Sequence, residues 1–267
     1  MGYIALIGTR MSSIRICAYC KKAVPLTKEH LWPSGIIARA KDIDTSYLGK
    51  LEKFIDADLT IKDVCAGCNN GPLSTLDAYI CDLFDAQFSH PAIRRQARTF
   101  IYNYEMLLRW LLKISYNTAR ANESDVEALS KYVEFMLEGG RTPAEIQIRL
   151  ELIHASPNPN WTPGSSTIKA IPAVSLRCAR VETPENHLPG TTLRLVAIYG
   201  FYFWVIIMPP KTDSSLFHSG LPGKLLPPNR SKLSLYSTRG MLELHADWIR
   251  NPRAAQSMRD LRVRRGR

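Results

Sequence analysis

The sequence has no apolar run long enough to cross a bilayer and no recognisable secretion signal. The longest apolar stretch, Leu195 to Met208, spans 14 residues and contains Gly200, whereas a membrane-spanning helix needs roughly 20 apolar residues. This stretch instead predicts two buried strands. Residues 1–10 lack a charged n-region and a small-residue cleavage site, so no signal peptide is expected. We therefore expect a cytoplasmic protein without a membrane partner.

Acidic residues are few relative to basic ones. The chain of 267 residues carries 24 Asp and Glu against 35 Lys and Arg, a formal net charge of +11. A positive field of this size attracts polyanions and favours nucleic acid as a partner. The C-terminal end predicts either a solvated tail or a phosphate-contacting segment. It carries seven arginines against one acid: Arg250, Arg253, Arg259, Arg262, Arg264, Arg265 and Arg267.

Only six cysteines are present, and four of them form two C-x-x-C pairs. These are Cys17 with Cys20, and Cys65 with Cys68. Because thiols stay reduced in the cytosol, such pairs indicate metal ligands rather than disulfides. Four thiolates on two tight turns are the ligand set of a tetrahedral structural zinc ion. Cys81 and Cys178 have no such spacing and are expected to be buried thiols.

Two adjacent residues between the cysteine pairs can carry chemistry. Glu29 and His30 lie in the 44-residue insert, and Asn69 directly follows the last cysteine of the second pair. Consecutive side chains of a strand point to opposite faces, so a turn or bulge is needed to bring Glu29 and His30 to one site. Asn69 then presents an amide oxygen next to a metal-bound cysteine.

This order of motifs, over about residues 14–90, resembles the four-cysteine HNH endonucleases with the endonuclease VII-like pattern. The resemblance implies a zinc-stapled ββα-metal module in which Cys17, Cys20, Cys65 and Cys68 bind structural Zn²⁺. It further implies that Glu29 and Asn69 hold a catalytic Mg²⁺ or Mn²⁺, with Asp77 as an alternative carboxylate. His30 is then the general base that takes a proton from water. No asparagine lies between His30 and Cys65, unlike many relatives.

The remaining sequence predicts an α+β protein with three parts. These are an HNH module over residues 1–90, a helical region over 91–155 and a β-rich region with the basic tail over 165–267. Helical spacing predicts a helix from Leu73 to Phe88. Further helix signals are Pro91 as a first-turn residue, the capping boxes Ser124–Glu127 and Thr142–Glu145, and a stop at Gly139 and Gly140. Strand signals cover Thr167–Val181, Thr191–Met208 and Lys232–His245, the last with a hairpin turn at Arg239–Gly240.

These features favour a metal-dependent HNH endonuclease that hydrolyses phosphodiester bonds of DNA, with RNA as a less favoured substrate. A phage-defence or mobile-element system is a fitting context. The alternative is a non-catalytic zinc-knuckle module that binds nucleic acid or protein. A third possibility is a toxin or defence effector that a regulatory partner holds inactive. A homodimer would suit paired cuts, because one HNH site cleaves one strand.

Overall fold

Helices and strands are mixed along the chain, as the α+β prediction requires. The computed structural model describes residues 15–41, 46–48, 53–55, 59–164, 169–173, 176–181, 190–210, 222–237 and 239–241. The arginine-rich tail lies outside the described residues. In the part that is described, no helix combines the length and apolarity needed to span a membrane.

The N-terminal part alternates short strands with short helices before one longer helix. Strands β1 and β2 pair on either side of the first cysteine pair, β4 pairs with β5, and β3 pairs with β6. Single π-helical stretches lie before and after α3, at Asn69–Leu73 and Phe84–Phe88. The elements in order are β1 (Arg15–Ile16), β2 (Ala23–Val24), β3 (Leu26–His30), α1 (Ser34–Arg39), β4 (Ser46–Leu48), β5 (Lys53–Ile55), β6 (Thr60–Cys65), α2 (Ala66–Cys68) and α3 (Ser74–Leu83).

Strands β3 and β6 are antiparallel and lead directly into the helix that follows the second cysteine pair. Their register contains a bulge, because Thr27 pairs with Val64 but Glu29 pairs with Ile61. One extra residue in β6 is therefore unmatched, which bends the strand locally. The helical stretch after Cys65 is interrupted at Gly71 and then continues as α3. The sequence prediction of a helix leaving the second cysteine pair is confirmed.

A 19-residue helix, α4 (Tyr104–Asn122), begins later than Pro91 suggested. The side chain of Asn103 caps it by accepting a hydrogen bond from the Met106 N–H at 3.1 Å. Between Pro91 and this cap lies strand β7 (Ala97–Ile101), so the prediction of a helix starting at Pro91 is wrong. Helices α5 (Val126–Ser130) and α6 (Val133–Glu138) follow. The predicted stop is confirmed, since Gly139 has a φ of +74°, which favours glycine.

The C-terminal half is built on a sheet in which β11, β12, β13, β8 and β14 lie side by side in that order, all antiparallel. A short strand, β16, pairs in parallel with β8. Separately, β9 pairs with β10, and β15 pairs with β7. The elements are β8 (Ile146–His154), β9 (Ser156–Pro157), β10 (Ala170–Ile171), β11 (Leu176–Arg180), β12 (Thr192–Ile198), β13 (Phe201–Ile207), β14 (Lys224–Leu225), β15 (Lys232–Tyr236) and β16 (Arg239–Gly240).

Two local predictions fail in this half. The capping box Thr142–Glu145 precedes strand β8 rather than a helix. The reason is the alternation of Ile, Leu and polar residues from residue 146 onward, a period-two pattern that a sheet buries better than a helix does. The Arg239–Gly240 pair is not a hairpin turn, because it forms β16 against β8. The predicted pair of buried strands within Leu195–Met208 is confirmed by β12 and β13.

Both faces of this sheet are buried. Phe201, Phe203 and Val205 of β13 belong to the main hydrophobic core, whereas Tyr202 and Trp204 pack in a second cluster on the opposite face. The main core is continuous from the cysteine pairs through α4 to the sheet. Helix α4 therefore connects the N-terminal residues of interest to the rest of the protein.

Candidate functional site

The four cysteines of the two C-x-x-C pairs converge on one point. Their sulfur atoms all lie within 4.8 Å of one another, with 4.0 Å between Cys17 and Cys68 and 3.7 Å between Cys20 and Cys65. A tetrahedral zinc ion with Zn–S bonds of about 2.3 Å places its sulfur ligands roughly 3.8 Å apart. The cluster can therefore hold a zinc ion. Among the described residues it is the one group of three or more His, Cys, Asp or Glu side chains with this spacing.

The backbone around the cluster is arranged to stabilise thiolate charge. The N–H of Cys65 donates to Cys17 Sγ at 3.3 Å, and the N–H of Cys68 donates to Cys65 Sγ at 3.5 Å. Although partial burial acts to raise it, the pKa of Cys17 is lowered to about 7 by backbone N–H donors, that of Cys65 foremost. Burial and the neighbouring thiols raise the pKa of Cys68. Bound zinc would hold all four as thiolates.

The first cysteine pair is fastened to α4 through its own intervening residues. Tyr19 is buried, and its hydroxyl donates to Asn117 Oδ1 at 2.7 Å. The Tyr116 hydroxyl donates to the carbonyl oxygen of Ala18 at 3.3 Å, and the two tyrosine rings meet edge to face. Because Ala18 and Tyr19 lie between Cys17 and Cys20, the position of α4 and the geometry of the sulfur cluster depend on each other.

Arg120 of α4 binds the bulge in β6. Its guanidinium donates to both carboxylate oxygens of Asp63, at 2.7 and 3.3 Å, and to Asn117 Oδ1 at 2.9 Å. The same guanidinium lies over the rings of Tyr19 and Tyr116, at 5.0 and 4.1 Å from their centroids. The bulge therefore lies where the Asp63 carboxylate meets the Arg120 guanidinium of α4.

His30 lies at the end of β3 and is half-buried. Its Nδ1 atom is enclosed and has no hydrogen-bond partner within the described ranges of the chain. The chain beyond it is held by Trp32, whose ring lies 5.9 Å from that of Trp110. The imidazole is thus positioned by its strand, with Nδ1 turned into the protein while the residue as a whole is half-buried.

Asn69 lies where α2 passes into the π-helical stretch, and its side chain reaches back to β3. The amide Nδ2 donates to Thr27 Oγ1 and to the carbonyl oxygen of Lys28, both at 3.1 Å. Lys28 is two residues before His30. The start of the helix and the His30 end of β3 are therefore fastened together beside the sulfur cluster.

Glu29 faces away from this contact and into the core. It is 5% exposed, and its Oε1 atom accepts from Lys113 Nζ at 2.9 Å and from Asn117 Nδ2 at 3.2 Å. Lys113 is itself 2% exposed. A buried carboxylate requires this kind of compensation, because an unpaired ion would carry a large desolvation cost.

Asp77 of α3 meets the same lysine from the other side. Its Oδ2 atom lies 2.5 Å from Lys113 Nζ, and its Oδ1 accepts from Trp110 Nε1 at 3.2 Å. Burial raises the pKa of Asp77, although the lysine acts in the opposite direction. Glu29, Asp77, Lys113 and Asn117, which we call the acid–lysine network, thus form a closed set of charges between the N-terminal part and α4.

These positions do not fit the divalent cation that the resemblance implies. The ammonium group of Lys113 lies between the carboxylates of Glu29 and Asp77, where such an ion would have to bind. Asn69 makes its hydrogen bonds to β3 through its nitrogen and contacts neither carboxylate. The two acids are therefore placed to hold α4 against the N-terminal elements.

Sequence reasoning missed the partners on α4. Lys113, Asn117 and Arg120 follow one another along α4 at spacings of four and three residues. That spacing puts them on one face, and buried polar residues on one face require polar partners elsewhere. The two remaining cysteines, Cys81 and Cys178, are half-buried and pack against the core.

Comparison of the chain with protein families, with curated proteins and with solved structures found no match.

Proposed function

We propose that this protein is a zinc-stapled endonuclease of the HNH kind that hydrolyses phosphodiester bonds of DNA, with RNA less favoured. One observation carries the proposal. The Asn69 side chain donates to the β3 backbone at Lys28 at 3.1 Å, which ties the helix start beside the zinc-type cluster to the strand that ends at the half-buried His30. Because His30 is only half-buried, its imidazole can meet solvent at the end of β3 and accept a proton from water.

His30 acts in this proposal as the general base. A neutral imidazole is available near physiological pH and can take a proton from a water molecule. The resulting hydroxide attacks phosphorus in line as the bond to the 3′ oxygen breaks, which leaves a 5′ phosphate, and the departing 3′ oxygen takes a proton from solvent. Asn69 and Thr27 hold the end of β3 so that the imidazole keeps its direction. The net charge of +11 supports a polyanionic substrate.

The cysteine cluster supplies rigidity rather than chemistry. With zinc bound, four thiolates fill the coordination sphere and leave no position for water or substrate. The ion would fix the ends of β1, β6 and α2 relative to one another. Glu29 and Asp77, which share the ammonium group of Lys113, would hold α4 in place. A divalent ion at those two acids takes no part in the proposed steps.

Plasmid cleavage tests the proposal directly. Supercoiled DNA is incubated with the zinc-loaded protein in Mg²⁺, in Mn²⁺ and without either ion, and nicked product is quantified. The His30→Ala variant should lose at least 100-fold in rate, the lower range for a general base, with zinc content and thermal midpoint unchanged. The matched control is His90→Ala, because His90 is exposed and belongs neither to β3 nor to the cysteine pairs. Full cleavage by His30→Ala would contradict the proposed role.

A second candidate, a non-catalytic zinc-knuckle module that binds nucleic acid, is favoured by the acid–lysine network. The acid next to the proposed base lies in a closed, buried ion pair with Lys113, as in a scaffold without a catalytic ion. This candidate predicts DNA or RNA binding without cleavage under every metal condition. The same preparations, assayed for binding and for nicking, separate the two functions.

A further inference from the structure

The strand pair β7–β15, called the ribbon below, has one buried face and one exposed face. Phe100 and Leu235 point into the core, where Phe100 packs with Phe88 and Phe201. The alternate residues on the other face are all exposed: Ala97, Thr99, Ile101, Lys232, Ser234 and Tyr236. At about 3.4 Å per residue the five-residue strands extend roughly 17 Å.

The edge of β7 that faces away from β15 is blocked at Ile101. The Gln87 side chain donates to the carbonyl oxygen of Ile101 at 2.7 Å and accepts from its N–H at 2.8 Å. A further strand cannot pair at that residue, because both of its main-chain groups are already bonded. The flat face of the ribbon, rather than this end of its edge, is therefore the surface open to a partner.

Positive charge is concentrated on this face. Among the described residues, none that lines a cleft of about 400 Å³ along the ribbon is acidic. No described carboxylate forms an ion pair with any of its three cations. Lys224 Nζ is held by the carbonyl oxygen of Ser234 at 3.1 Å. Lining the cleft are Thr99, Lys224, Arg230, Lys232, Leu233 and Ser234.

Further basic residues lie at the other end of the ribbon. Arg94 forms a bridge with Ser237, and the Arg95 N–H donates to the Ser237 carbonyl oxygen at 3.0 Å. Both arginines are exposed. Between the two basic ends lie the hydroxyls of Thr99 and Ser234, with Ile101 60% and Tyr236 58% exposed. Cations at both ends, hydroxyl donors between them and an exposed aromatic ring are suited to a sugar–phosphate chain.

We propose that the exposed face of the ribbon binds the phosphodiester backbone of duplex DNA. A two-stranded ribbon fits the major groove, about 12 Å wide, while cations beside it reach the flanking phosphates. The choice of ligand rests on the proposed function, which requires a nucleic-acid substrate. The ribbon would then supply backbone affinity, a separate task from the chemistry assigned to His30.

Binding by charge-reversal variants tests this inference. A fluorescent 20-base-pair duplex is titrated, with anisotropy as readout, in a His30→Ala background so that cleavage does not interfere. Arg230→Glu combined with Lys232→Glu should weaken binding roughly 10- to 100-fold and make the salt dependence of log K shallower by about 2. The control is Lys131→Glu with Arg141→Glu, which changes net charge equally at exposed positions elsewhere. It should lose less than about threefold.

The outcomes separate this inference from the proposed function. Equal losses in the two double variants would overturn the inference, since only net charge would matter. Unchanged affinity in the ribbon variant would also overturn it. Ribbon-dependent binding by a protein that never nicks DNA would support the ribbon site and contradict the endonuclease. The milder pair Arg230→Gln and Lys232→Gln should show an intermediate loss, which guards against a folding defect in the reversed pair.

Discussion

The two clusters of ionisable side chains in the N-terminal part differ in where their positive charge comes from. The four cysteines gather sulfur ligands at 3.7 to 4.0 Å across two pairs, and no Lys or Arg side chain is hydrogen-bonded to any of these four sulfurs in the described residues. Glu29 and Asp77 instead share the ammonium group of Lys113. The first cluster can hold an external ion, whereas the second takes its cation from the chain itself.

This difference teaches that ligand type alone does not define a metal site. Two carboxylates and an amide near a histidine match the donor set of a hard cation, and the sequence order strengthens that interpretation. Lys113, which lies on α4 more than 30 residues further along the chain, occupies the space between the two carboxylates in place of a metal ion. We infer that removing the charge from each cluster should have effects of different size and kind, which the following predictions measure.

The largest effect should follow disruption of the cysteine cluster. Cys65→Ser removes one thiolate and its contact with Cys20 Sγ at 3.7 Å, so zinc binding should be weakened severely. Structural zinc contributes on the order of 10 kcal/mol to folding in small zinc modules, so we expect the N-terminal part to unfold. Metal analysis should show less than one zinc per chain, and the thermal midpoint should drop sharply. Strong chelators should reproduce both changes in the wild-type protein.

The matched control is Cys81→Ser, which changes a half-buried thiol outside the cluster. It should keep its zinc and most of its stability. If Cys65→Ser kept one tightly bound zinc and a normal midpoint, the four cysteines would not be the ligands of a structural ion.

A smaller effect is expected at the acid–lysine network. Lys113→Met leaves Glu29 and Asp77 buried without their cation, which should lower the free energy of unfolding by about 3–5 kcal/mol. Adding Glu29→Gln and Asp77→Asn to that variant should recover a large part of the loss. Urea denaturation measures both. Lys131→Met, at an exposed lysine, is the control and should change little.

Manganese tests whether Glu29 and Asp77 pair with Lys113 or bind a divalent metal ion. The Lys113→Met single variant leaves two acids without a cation, so Mn²⁺ should raise its thermal midpoint but not that of the wild type or of the triple variant. If Mn²⁺ instead stabilised the wild type, and Glu29→Gln abolished that gain, then Glu29 would be a metal ligand and Lys113 would not be the resident cation.

The sequence predicted what depends on short-range pattern and missed what depends on distant partners. The cysteine spacing predicted a metal cluster, and the spacing of Leu76, Ile80 and Leu83 predicted α3, because each signal lies within a few turns of chain. The orientation of the Glu29 side chain towards the core could not be predicted from such short-range patterns. It is set by Lys113 and Asn117, more than 80 residues away, and by a bulge that shifts the β3–β6 register by one residue.

The same limitation explains the errors in the middle of the chain. Pro91 and the Thr142–Glu145 pair are good local helix signals, yet β7 and β8 follow them. Strand β7 gains its stability from pairing with β15, and β8 from pairing with β13. Such pairings join segments about 50 residues apart or more, and tertiary burial overrides local preference.

The smallest predicted effect is a change in the pH dependence of stability at Asp77. Burial raises the pKa of this carboxyl above its ordinary value of 3.8, with Lys113 opposing the shift. The folded state therefore holds the proton more tightly than the unfolded state. The contribution of Asp77 to stability is then fully present below the unfolded pKa and is lost as pH rises through the folded pKa. The stability of the wild type relative to Asp77→Asn should fall as pH rises from about 4.

Asp85 provides a control of opposite sign. It is exposed, and its bidentate contact with Arg39, at 2.8 Å for both bonds, lowers its pKa. The stability of the wild type relative to Asp85→Asn should therefore rise with pH as the carboxyl ionises. Urea denaturation of both variants at matched pH values gives the two slopes, and the zinc contribution cancels because all three proteins keep the four cysteines. Parallel slopes would mean that Asp77 behaves as a solvated acid, and the acid–lysine network would then not be a buried counterpart to the cysteine cluster.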